Sequence, residues 1–344
     1  VDLRVVHDQV TEQIEKLDFE KFWPRFIAYP FALYDDRQVW FKGFQEPKSY
    51  IFLGNTAIDY QGKKLAIWNM KESPIEDISI LTSKIIHEMF HAFQNDCQEC
   101  RFPDEFQGLF YDYQPWNLSM KHQENRLLAD LLQDFSETKL RRFQSIRLNR
   151  KALFPNQYDY ESRIEVIEGM AQFVETKALK AIDETMFQDA ITNLKARLLD
   201  KNQLMKIRKC SYDVGTALCL FLAKAGRSFF HKIGSESRTI LEIVGIDHEL
   251  SPVRIPKNQE ITAMVNASET EKMAKIQNII KRKVPIRGSF CVRGFDPLNS
   301  FGIGDLMYNP DFLMYEEDGK VQFAKGPSVL VVSGDFLGNA LYRE

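Results

Sequence analysis

His87-Glu88-Met89-Phe90-His91 carries the most pointed chemistry in the chain. On a helix, positions four apart share a face, so both imidazoles can grip one metal ion. The Glu after the first His is placed to take a proton from water activated there. With only six histidines in 344 residues, two at this spacing around a Glu are a rare coincidence. His87 and His91 are therefore expected metal ligands, zinc the expected ion, and Glu88 the expected general base. The plainer alternative is a pair of surface histidines on an amphipathic helix. Catalytic zinc uses three protein ligands, so a third must arrive from elsewhere in the chain. Glu168, in Glu168-Gly169-Met170-Ala171, is the favoured donor: it borders the apolar stripe of its helix, and Gly169 lets a neighbouring backbone come close. Glu124 and Cys97 are the competing ligands. Glu165, one turn earlier, is expected to sit behind the ligands, accepting a hydrogen bond from a ligand histidine or nothing at all.

These residues need helices to position them. Ser73-Pro74-Ile75-Glu76 has the form of a capping box and predicts a helix running to about Asn95. Ile75, Ile78, Ile85, Ile86, Met89 and Phe93 fall on one stripe of it, with His87 and His91 nearly opposite. Upstream, Val6, Val10, Ile14 and Leu17 predict a helix over 5–22. Strand-like runs follow at 31–41 with a turn at Asp35-Asp36, at 50–53 and at 64–70. Downstream, one long helix is expected from Leu118 to Leu153, stopped by Pro155, with the arginines between Arg141 and Arg150 forming a solvated face. A second, Tyr160 to Ile182, carries the stripe Ile164, Ile167, Ala171, Val174, Ala178, with Glu165 pointing into its polar face. Further helices are expected at 212–225 and from a cap at Ser268-Glu269-Thr270-Glu271 to near Lys283. Beyond Val284, short strands broken by Gly, Pro and Asp-Gly suggest a small all-β unit. The class is α+β, divided as 1–72 (helix and small sheet), 73–235 (helical core), 236–283 (helical connector) and 284–344 (β unit).

Composition narrows the function. A net charge of −3 gives no electrostatic case for nucleic acid. No apolar run is long enough to span a bilayer. Five cysteines do not make a disulfide framework, which favours a reducing, cytoplasmic setting. Cys97-Gln98-Glu99-Cys100 is a lone CxxC without a second pair, read as ordinary thiols, and the aromatic stretch from Phe102 to Trp116 is read as cover for the core.

A sheet followed directly by an HExxH helix resembles the N-terminal half of the zincin metallopeptidases. In that family an edge strand holds the substrate backbone antiparallel across the cleft; here the matching piece is Leu65 to Met70, which makes Ile67, Trp68 and Asn69 the expected peptide-binding residues. The metzincin pattern fails, since Gln94 and Cys97 stand where its Gly and third His belong. Glu168-Gly169-Met170-Ala171 resembles the E-G-x-A element of gluzincin-like peptidases, whose Glu binds zinc, although the strict N-E-x-x-S-D form is absent. The resemblance covers about residues 50 to 225 and is nearest to uncharacterised bacterial HExxH proteins of gluzincin type. It implies a hydrolase that cuts peptides, with an oxyanion partner from a later helix: Tyr212 first, His122 next. The second reading is a zincin scaffold that binds a peptide or protein without cutting it, its metal structural or absent, against which an intact Glu88 argues. The β unit lies outside the resemblance and is read as accessory, for gating or self-association.

Overall fold

The computed structural model describes residues 2–230, 233–245 and 253–343, and in it the chain is α+β: an N-terminal sheet, a helical middle and a separate C-terminal sheet. Helix α1 (Leu3–Ile14) starts at Asp2, whose carboxylate accepts from the backbone N–H of Arg4 and Val5. It stops well short of residue 22, because Phe19, Phe22, Trp23 and Phe26 all turn into the core, which one face of a straight helix cannot do.

The N-terminal sheet comprises β1 (Phe31–Tyr34), β2 (Gln38–Phe41), β3 (Phe44–Pro47), β4 (Thr56–Tyr60) and β5 (Lys63–Asn69), in the order β3-β2-β1-β5-β4. The expected strand at 50–53 is a turn; β3 and β4 flank it instead. The larger correction concerns β5, which is not an edge. It pairs in parallel with β1 from Phe31↔Ala66 to Tyr34↔Asn69, and antiparallel with β4 from Thr56↔Ile67 to Tyr60↔Lys63. Past the end of β4, the Asn69 N–H donates to Asn55 Oδ1. Ile67, Trp68 and Asn69 thus have no free backbone edge for a peptide, and the edges of this sheet are β3 and β4. The residues from Leu65 to Met70 are buried without alternation, the pattern of a strand covered on both faces.

Helix α2 (Ile78–Asp96) lies on β5. Its cap is Asp77, whose Oδ1 accepts from Ser79 and Ile80, so the box at Ser73 is not used. The Ser73 carbonyl is instead taken by the indole N–H of Trp68. Next come α3 (Glu105–Leu109), α4 (Pro115–Gln133) and α5 (Glu137–Leu153). The last two replace the single long helix expected, because the chain is extended at Asp134 and Ser136 caps a new helix. Nor are the arginines all solvated: Arg147 and Arg150 are buried and paired with Glu165, Glu124 and Glu161.

Helix α6 (Pro155–Ile164) runs through a π-helical segment (Glu165–Gly169) into α7 (Met170–Ile182). Helix α8 (Glu184–Leu199) was not anticipated; α9 (Ile207–Lys224), α10 (Ile240–Val244) and α11 (Gln259–Arg282) follow. Asn258 caps α11, which leaves Ser268 mid-helix. Among the described residues, no helix is long and apolar enough to cross a membrane.

The C-terminal sheet holds β6 (Ile286–Phe295), β7 (Phe301–Ile303), β8 (Leu306–Asn309), β9 (Phe312–Glu317), β10 (Lys320–Lys325), β11 (Ser328–Gly334) and β12 (Leu337–Arg343). All its pairings are antiparallel, in the order β10-β9-β6-β12-β11-β8-β7. Its core of Phe290, Val292, Met307, Leu313, Leu330 and Leu341 is completed by Leu109 of α3, with Phe106 and Phe110 packed against it.

Candidate metal centre

Three helices build the centre. α2 packs along α7, and α9 crosses the π segment almost backbone to backbone: a Cβ on Gly169 would stand 2.5 Å from Gly215 Cα, and one on Gly215 would stand 2.5 Å from the Glu165 carbonyl oxygen. Only glycine fits at either position, as anticipated for Gly169. This crossing brings Glu168 from the π segment against the histidine face of α2.

His87, His91 and Glu168 meet there. The two Nε2 atoms are 3.1 Å apart, and Glu168 Oε2 lies 3.6 Å from His87 Nε2 and 3.2 Å from His91 Nε2. Ligand atoms about 2.0–2.1 Å from a tetrahedral ion stand about 3.4 Å from one another, so this triangle has the right size. The outer nitrogens are already engaged. His87 Nδ1 is 3.0 Å from Glu175 Oε2, whose other oxygen is 2.7 Å from Lys84 Nζ. His91 Nδ1 is 2.8 Å from Gln94 Oε1, and the Gln94 amide nitrogen donates to the Ile167 carbonyl at 3.0 Å, which fixes its oxygen toward the ring. With both protons held on Nδ1, two imidazole lone pairs and one carboxylate oxygen point at one spot.

Charge makes the same case. Glu88, Glu105, Glu168 and Glu175 face the cations of Lys84 and Arg208, four negative charges against two, with the imidazoles neutral. With neutral rings the cluster is two positive charges short; protons on the histidines meet that deficit in the metal-free chain, and one divalent cation would meet it in their place. Burial alone would lower the pKa of His87, but hydrogen bonds to Glu168 and Glu175 outweigh it and carry it up to about 10. His91 is raised in the same way by Glu168 against its burial. Burial works against ionisation of Glu168, yet the two histidines and Arg208 hold its carboxyl well below the usual range.

Glu88 is buried beside the donors, and among the described residues its carboxylate has no hydrogen-bond partner. Burial pushes its pKa up while the adjacent imidazoles pull it down. A desolvated carboxylate of this kind, free to take a proton, suits acid–base chemistry. On α9, Arg208 donates to Glu168 Oε1 at 3.2 Å and to both oxygens of Glu105 at 2.7 Å, and its guanidinium lies 5.9 Å from the Tyr212 ring centre. Burial and then Glu168 hold the Tyr212 hydroxyl in its protonated form.

Other expected residues stand elsewhere. Glu165 turns away from the histidines and binds Arg147 at 2.6 Å, and its place behind His87 is taken by Glu175. The Glu124 carboxylate is committed to Arg150 at 2.7 Å. Cys97 is the C-cap of α2, outside the donor group. His122 on α4 has Lys201, Arg126 and Glu260 for charged neighbours, and burial lowers its pKa. Glu175, Gln94, Arg208 and Glu105 were missed. Gln94 had a signal, three residues after His91 on the same face, and so had Glu175, seven after Glu168; Arg208 and Glu105 had none. No family model matches the chain, and comparison with curated proteins and with solved structures gives no match.

Proposed function

We propose that the chain is a zinc-dependent peptidase, a zincin of gluzincin type, with His87, His91 and Glu168 as ligands and Glu88 as general base. The observation that carries this reading is the convergence of two imidazole nitrogens and one carboxylate oxygen at zinc-like spacing beside a buried carboxylate that has no hydrogen bond of its own. The N,N,O donor set suits zinc. Zinc in such a site polarises a carbonyl and makes water acidic enough to lose a proton near neutral pH. Glu88 takes that proton and returns it to the departing amine. Tyr212, kept protonated, donates to the oxygen that gains charge. Glu175 and Gln94 hold the imidazoles in their tautomers throughout. For the peptide, the free backbone edge next to β5 is that of β4, so Thr56 to Tyr60 replaces 65–70 as the strand that receives it. The five cysteines are free thiols, which agrees with a cytoplasmic setting.

The test is zinc content of protein purified without chelator, followed by incubation with a mixed peptide library. About one zinc per chain and cleavage are expected; Glu88→Gln keeps the metal and loses cleavage by about 10²–10⁴-fold. Zinc binding without cleavage in the wild type leaves the non-cutting, peptide-binding reading in its place. Failure to take up metal removes the hydrolase reading.

A further inference from the structure

We infer that the C-terminal sheet sets the metal affinity of the centre through α3, with Glu105 and Arg208 as positioning residues. The inference rests on the metal-site reading above. The chain of contacts is short. Glu168 turns one oxygen toward the histidine cluster and with the other accepts from Arg208. Arg208 is largely enclosed, and Glu105 holds it at 2.7 Å through both oxygens, with Tyr212 and Glu168 also beside it. Glu105 opens α3, a helix of only five residues that the capping carboxylate of Asp104 alone could not hold in place. The sheet helps to fix α3: Leu109 lies in the sheet's core, Phe106 packs at a tilt 5.1 Å from Phe336, and a Cβ on Gly302 would meet the Phe110 ring at 2.2 Å, while Gly108 packs against Tyr160 of α6. The elements from 286 onward therefore reach the centre without contributing any atom to it.

The direction of the effect follows from charge. Arg208 and a metal cation compete for the same carboxylate. While Glu105 neutralises the guanidinium, Glu168 is left to the metal; without Glu105 the whole positive charge turns on Glu168 and on the cation beside it. Any displacement of α3 by the sheet has the same sign, because it moves Glu105 off Arg208. The β unit is thus more than a separable accessory: it tightens the centre.

The experiment measures zinc affinity of the full chain by competition with a chromogenic chelator, with circular dichroism as the folding control. Glu105→Ala should weaken binding by about 10–100-fold, the usual effect of losing a group behind a ligand. Glu105→Gln, which keeps an acceptor for Arg208, should recover part of the loss. Gly302→Val, seated in the sheet, should weaken binding several-fold, and Phe336→Ala serves the same purpose should that variant not fold. The double variant Glu105→Ala/Gly302→Val (or with Phe336→Ala) should bind no worse than Glu105→Ala, since both act through one carboxylate. A wild type that takes up no zinc overturns the site and this inference together. A wild type that binds, with Glu105→Ala equal to it or with losses that multiply in the double variant, overturns the inference alone.

Discussion

Two buried clusters of charge lie in the helical middle, and they are built on opposite principles. In one, Lys121, Arg147 and Arg150 face Glu124, Glu161 and Glu165, three cations to three carboxylates. Arg150 reaches Glu161 at 2.7 and 2.8 Å, Glu124 at 2.7 Å and Asn117 at 2.8 Å, and Tyr111 donates to Glu161 at 2.5 Å. In the other, the carboxylates outnumber the lysine and arginine charges by two, and three donor atoms converge on one spot. Burial of charge by itself therefore says little about function. A cluster whose charges cancel holds helices together; one left short of positive charge is shaped for a cation that the protein does not itself supply.

The contrast can be broken with substitutions, of which Arg150→Met should have the largest effect. It strands Glu124 and leaves Glu161 with Lys121 and Tyr111 alone, and stability should fall by about 3–5 kcal/mol in denaturant titration, with zinc still bound by whatever remains folded. Glu165→Gln should behave similarly for Arg147, without loss of zinc affinity. Next is Glu168→Ala, expected to weaken zinc binding by more than about a hundredfold. If Glu165→Gln costs the metal and Glu168→Ala does not, the two clusters have been assigned the wrong way round. Glu175→Gln, which removes the acceptor behind His87, should cost about 10–100-fold in zinc affinity and leave the ionic cluster untouched.

The smallest effect is in pH, no steeper than about 1.4 kcal/mol per pH unit for a single proton. In metal-free protein, the pKa of His87 is raised from 6.5 to about 10, so its contribution to stability is complete below about pH 6.5 and is lost as pH rises toward 10. Glu161 is the reverse case: against its burial, Arg150 and Lys121 hold it down at about 2, so its contribution is complete above 4.5 and is lost as pH falls toward 2. Zinc replaces the proton at the histidines and should flatten the alkaline limb alone. An alkaline limb that zinc leaves unchanged would mean that the metal does not sit on His87.

The parts of this arrangement that were legible in the sequence are those written locally. The spacing of His87 and His91 and the buried stripe Ile164, Ile167, Ala171, Val174, Ala178 depend on one helix each, and both appear as expected. The need for glycine at 169 was also legible, although its partner Gly215 was not. What failed depends on which element arrives beside which. Strand β5 became interior because β4, read as loop, pairs on its far side. Arg147 and Arg150 lie on a charged helix face that, by periodicity alone, looks the same whether it meets water or Glu165 and Glu161. The cap of α2 fell to Asp77 because the indole N–H of Trp68 takes the Ser73 carbonyl.

The π turn between α6 and α7 has one more consequence. In a regular helix, residues three apart lie about 60° apart around the axis, too close for Glu165 and Glu168 to serve opposite clusters. The wider turn opens that angle, sending Glu165 to Arg147 and Glu168 to the histidines. It works as a phase offset: α6 is dialled to the ionic cluster through Glu161, α7 to the metal donors through Glu175. Deleting Val166 or Ile167, with almost no change in composition, would let the helix close to regular pitch and rotate its second half by about 100° against the first. Glu175 would swing off His87 although every group needed for chemistry was still encoded.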